Sequence, residues 1–133
     1  MILLEKAKEN FEIAEKSAEK EYYDVAISRL YYSMFQNLKN CLQNFEGVDY
    51  TKSSNSHEDT IKILKQYLLR TKKEDPEVLV KLMTDFRGFK RKRQKADYEA
   101  RKSTEQQYKK SKECHDFLIG RFEVYSRGVG KNG

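Results

Sequence analysis

The chain is poor in residues that break helices and in residues that build special sites. Only one proline, Pro76, and six glycines occur in 133 residues, and three of those glycines fall in the last six positions. So few turn formers argue against many short strands, and no stretch alternates apolar and polar residues as a half-buried strand does. No apolar run approaches the length of a membrane span, and the N-terminus lacks a signal-peptide pattern. Cys41 and Cys114 fit no zinc spacing and read as reduced positions in a cytoplasmic protein. There is no glycine-rich phosphate loop, no Gly-x-Ser-x-Gly elbow and no paired-cysteine cluster. The two histidines, His57 and His115, have no neighbours at metal-ligand spacing. The sequence therefore calls for no metal and no cofactor, and for no membrane.

What the chain has in quantity is charge, with a positive excess. The formal net charge is +6 and the pI about 9.2, a balance that favours an acidic partner, either nucleic acid or an acidic protein. The excess is concentrated. Of the nine residues from Arg87 to Lys95, six are basic: Arg87, Lys90, Arg91, Lys92, Arg93 and Lys95.

Hydrophobic periodicity divides the chain into five helices. The first runs from about Ile2 to Glu19, with Leu3, Ala7, Phe11, Ala14 and Ala18 on one stripe. The second, about Tyr22 to Phe45, has an apolar face wide enough for a central helix. Residues 47–55 read as a loop, and Ser56 as the cap of a third helix from His57 to about Arg70. Asp75-Pro76 starts a fourth, with Asp as cap and Pro in the first turn. Ser103 or Thr104, each followed three residues later by Gln, caps a fifth helix reaching about Tyr125. The expected architecture is all-α, a four- to five-helix antiparallel bundle. It occupies residues 1–126, and residues 127–133 form a disordered tail.

Where the basic run ends, the sequence reads Arg93-x-x-Ala96-Asp97-Tyr98. Arg93 or Arg91 suits a phosphate, because guanidinium presents fixed bidentate donors. Asp97 offers a carboxylate beside these cations, a feeble base. Its structural alternative is an intrahelical ion pair with Arg93, four residues away, worth a few tenths of a kcal/mol. Arg29 sits in an otherwise apolar helix and needs a partner. That partner is either Asp97 across the bundle or a phosphate. Tyr23, Tyr31 and Tyr125 fall at core spacing, whereas Tyr98 lies among charges. His115, among Lys112, Glu113 and Asp116, reads as solvent-facing. A helix-turn-helix reading would need Gly88 to turn the chain just before the basic run.

Three pieces of the sequence resemble the HEPN superfamily (higher eukaryotes and prokaryotes nucleotide-binding), in its small stand-alone branch. They are Tyr23–Phe35, which contains Ala26-x-x-Arg29-x-Tyr31-Tyr32; Ser56-His57; and Arg93-x-x-Ala96-Asp97-Tyr98. In order and spacing they cover roughly residues 3 to 125. The resemblance implies a helical bundle that forms a homodimer and, in many members, cleaves RNA without a metal. Such members act as toxins or host-defence effectors beside a nucleotidyltransferase partner. Their usual signature is Arg, four to six residues, then His. No His follows Arg91 or Arg93 at that spacing. A Ser/Thr-His pair at the Ser56-His57 position recurs in the branch, which makes His57 the displaced imidazole.

The expected catalytic set is thus Arg93, Asp97 and His57. Arg29, Arg91, Lys95 and Tyr98 contact RNA or a nucleotide, and Tyr98 is also the acceptor for nucleotidylation by the partner. The alternative is a non-catalytic HEPN module that binds RNA, a nucleotide or the nucleotidyltransferase.

Overall fold

The computed structural model describes residues 2–45 and 57–130. The expected loop at 47–55 and the Ser56 cap lie outside the described residues. Those described form five helices: α1 (Ile2–Glu19), α2 (Tyr23–Gln43), α3 (His57–Thr71), α4 (Pro76–Tyr98) and α5 (Glu105–Gly130). Among them there is no strand. The all-α bundle expected from periodicity is the observed fold. The last helix runs five residues past its expected end near Tyr125.

Local chemistry sets the ends. Asp75 accepts the Glu77 N–H at 3.2 Å, and Pro76 occupies the first turn of α4, where its missing N–H costs nothing. Thr104 and Gln107 form a reciprocal capping box on α5. The Thr104 N–H donates to Gln107 Oε1 at 2.8 Å, and the Gln107 N–H to Thr104 Oγ1 at 3.2 Å. Between α1 and α2 the chain turns through Glu21, whose φ of 62° is left-handed. The Tyr22 N–H closes that turn onto the Ser17 carbonyl at 2.8 Å.

α2 is the central helix and packs against each of the other four. Its Ile27, Leu30, Tyr31, Met34, Leu38 and Leu42 are fully buried, each contributing about 1.5–3 kcal/mol by leaving water. Leu64 and Leu68 of α3, Leu82, Phe86 and Phe89 of α4, and Leu118 and Phe122 of α5 complete the core. Cys41 and Cys114 are both free thiols. Burial pushes the Cys41 thiol up to about 11, which leaves it inert as a nucleophile. α4 continues as a helix through Gly88, so the turn that a helix-turn-helix reading needs is absent there.

Candidate functional site

The buried side of α4 carries Leu79, Leu82, Phe86, Phe89 and then Arg93. Their spacing of three and four residues is one continuous helical stripe, and its last member is a cation. Arg93 is 8% exposed. Its guanidinium lies over the ring of Tyr31, 5.0 Å from the centroid, and 6.0 Å from that of Tyr32. It reaches Asp97 Oδ2 at 3.5 Å through NH1, while Nε is buried with no hydrogen-bond partner among the described residues. A desolvated guanidinium with an unused donor is costly to keep. A core alone would be served by an apolar residue there.

Tyr31 joins Arg93 to α3. Its hydroxyl lies 3.0 Å from Nδ1 of His57, and its ring meets Phe89 edge-on at 5.3 Å. The imidazole packs on Phe35, with centroids 3.9 Å apart. Burial, followed by the charges of Arg93, Lys39 and Lys90, pushes His57 below its ordinary pKa of 6.5. The ring is therefore neutral at neutral pH and keeps a lone pair for accepting a proton. Lys90 also reaches the start of α3, donating to Glu58 Oε1 at 2.6 Å. The same cations make the surroundings of His57 electropositive.

The arrangement brings Arg93, Asp97 and His57 into one neighbourhood and leaves the other expected residues outside it. Arg29 is exposed and donates to Asn10 Oδ1 at 3.2 Å. The expected buried bridge from Arg29 to Asp97 is not formed, because Arg29 faces the rim between α1 and α2 and Asp97 pairs with Arg93. Arg91 and Lys95 are exposed and lie roughly 160° around α4 from Arg93, at about 100° per residue. Tyr98 is 78% exposed.

Sequence reasoning treated Tyr31 only as core and passed over Lys39. Tyr31 is indeed fully buried, but its hydroxyl serves His57. The adjacent tyrosines of Arg29-x-Tyr31-Tyr32 were the signal. His115 is a correction. It is 5% exposed, not solvent-facing, because Ser111, His115, Leu118 and Phe122 form the inner stripe of α5. Its ring stacks on Phe11 at 5.1 Å, Nδ1 lies 2.9 Å from Asp116 Oδ1, and Nε2 is buried with no partner among the described residues.

Among the described residues, no group of three His, Cys, Asp or Glu side chains could hold a metal ion. No helix among them is long and apolar enough to cross a membrane.

The five-helix chain has a counterpart among known families. The family model of the HEPN domain matches residues 1–124, and the chain belongs to the HEPN family. One relative is a Methanocaldococcus jannaschii protein named "Putative toxin MJ0142", 34% identical over 100 residues, which make up 74% of this chain. The matched region spans 60% of that relative's length. No solved structure matches the chain.

Proposed function

We propose that this protein is a metal-independent endoribonuclease of the toxin or host-defence type. The observation that carries this reading is the convergence of Arg93 and His57 on Tyr31, which supplies in space the Arg–His pair that the sequence lacks at close spacing. In the proposed reaction, neutral His57 takes the proton of an RNA 2′-hydroxyl. The 2′-oxygen then bonds to the adjacent phosphorus as the bond to the 5′-oxygen breaks. Arg93 offsets the charge that builds on the phosphoryl oxygens, and the leaving 5′-oxygen takes its proton from the His57 imidazolium. Asp97 orients Arg93 and is not a base. The toxin name of the archaeal relative supports this reading.

The same reading includes a homodimer and a nucleotidyltransferase antitoxin as partners. The exposure of Tyr98 suits it as an acceptor for nucleotidylation, which would place phosphate charge beside the basic helix. The burial of Arg93 favours a second reading, a non-catalytic module that binds RNA or its partner without cleaving.

Incubation of single-stranded RNA with the wild type, Arg93→Ala and His57→Ala separates the two. Loss of cleavage in both variants is expected. Unchanged cleavage in both would overturn the site, and absence of cleavage by the wild type would leave the binding module.

A further inference from the structure

Most of the basic run does not face the cluster. Arg87, Arg91 and Lys95 recur every fourth residue, all exposed, and Tyr98 follows three positions later. At about 100° per residue, Arg87 and Tyr98 fall within roughly 20° of each other around the helix. Three cations and an exposed phenol thus share one face of α4, away from Arg93. The cations are about 6 Å apart along the axis, a repeat that successive phosphates of an unstacked strand can follow.

Beyond Lys95 the face runs into a cavity of about 400 Å³ lined by Lys95, Glu99, Arg101, Lys102, Ser103 and Gln107. The chain there is fixed by the Ser103 N–H, which donates to Asp24 Oδ1 of α2 at 2.9 Å. Gln107 spends its Oε1 on the Thr104 N–H, so its side-chain NH2 remains available as a donor.

The partnering of the charges sharpens the point. Lys81, Lys90, Lys109, Lys112 and Arg121 each hold a carboxylate. Arg87, Arg91, Lys95, Arg101 and Lys102 make no ion pair among the described residues. Glu99 is the one acidic side chain lining the cavity. Unpaired cations in a row with an exposed aromatic at the end match how single strands are held, by backbone charge and base stacking.

We infer that the outer face of α4 (Arg87, Arg91, Lys95 and Tyr98), with the Arg101–Lys102 cavity at its end, is a binding strip for the backbone of single-stranded RNA. The strip rests on the proposal that RNA is the substrate, and it assigns the path of the strand outside the Arg93–His57 cluster. It binds phosphates without regard to sequence, and Tyr98 stacks one base.

The test is fluorescence anisotropy with a labelled single-stranded RNA over a range of salt, alongside cleavage kinetics. Arg101→Gln/Lys102→Gln should weaken binding on the order of tenfold near 0.1 M salt and flatten the log–log salt slope by about 1.4, at roughly 0.7 per phosphate contact. Its KM should rise by the same factor while kcat at saturating RNA holds. Tyr98→Ala should weaken binding by about fivefold or more, with Tyr98→Phe restoring it, since stacking needs the ring alone. Unchanged affinity and slope in the Arg101/Lys102 variant would overturn the strip, and Arg93-dependent cleavage would then still uphold the cluster. Conversely, strip-dependent RNA binding without cleavage would uphold the strip and sink the catalytic reading. Tight binding of adenosine monophosphate that is lost in the Arg101/Lys102 variant would overturn the RNA assignment in favour of a mononucleotide site. Displacement of RNA by a polyglutamate peptide at equal charge would do so in favour of an acidic protein.

Discussion

The Tyr31 hydroxyl and His57 Nδ1 stand 3.0 Å apart, tying the centre of α2 to the first residue of α3. That contact holds the imidazole among cations, and its pKa is lowered by burial first and then by Arg93, Lys39 and Lys90. A general base must be neutral, so cleavage should fall as pH drops through the folded-state pKa. The acid limb of the pH–rate profile should therefore have its midpoint below 6.5. In Lys39→Gln the limb should move upward, toward the ordinary value, since one depressing charge is gone. A limb that stays in place would remove His57 from the proton-transfer step.

Arg93 allows the proposed function to be tested apart from stability. Arg93→Met keeps an unbranched apolar stem and continues the stripe of Phe86 and Phe89 while removing a guanidinium whose Nε has no partner among the described residues. Replacing a buried charge by a well-packed apolar side chain is often neutral or stabilising. The variant should melt at or above the wild-type Tm and lose cleavage. A Tm lowered by several degrees would mean that the contacts to Tyr31, Tyr32 and Asp97 are structural.

Much of the fold could be read from the sequence, because helix ends and periodicity are local. Asp75-Pro76 and Thr104 with Gln107 each carry their own start signal, and α1 ends where its stripe ends. The site was only half legible. Arg93 continues the spacing of Leu79, Leu82, Phe86 and Phe89, yet within a basic run its charge marks it as surface. His57 and Arg93 both reach Tyr31 only because α3 packs beside α4, and sequence spacing carries no trace of that. Arg29 misled in the opposite sense. Its apolar neighbours suggested burial, but Ala26, Ile27 and Leu30 turn inward and leave it on the rim beside Asn10.

His115 makes stability depend on pH. Burial is the first cause of its lowered pKa, and it outweighs the opposing hydrogen bond and charge of Asp116. With the folded pKa below the unfolded value, the unfolded chain takes up the proton first as pH falls. The stabilisation is complete above about 6.5 and is lost as pH falls through the folded pKa. Thermal melts of His115→Phe should show a shallower fall in Tm between neutral and mildly acidic pH. A slope equal to that of the wild type would assign the dependence to other groups.

Gly88 lies inside α4, and a Cβ added there meets no atom within 4 Å. Gly88→Ala should stabilise by about 0.5–1 kcal/mol, because alanine has less backbone freedom to lose. That corresponds to a rise of a few degrees in Tm. A fall would show that α4 has to bend at this point.

Glu74 ties the turn between α3 and α4 to α5. Its side chain is 5% exposed, it pairs with Arg121 at 2.7 Å, and it accepts a hydrogen bond from the Tyr125 hydroxyl. Burial and then the bond to Glu74 push the Tyr125 phenol above its usual value. Glu74→Ala leaves both partners without their acceptor and should cost about 2–3 kcal/mol, below the full value for a buried pair because Arg121 is partly exposed. Glu74→Gln keeps an oxygen for the Tyr125 O–H and should cost less. Chemical denaturation of the two variants measures the difference. Equal losses would mean that the charge pair with Arg121, and not the hydrogen bond to Tyr125, holds α5 against the turn.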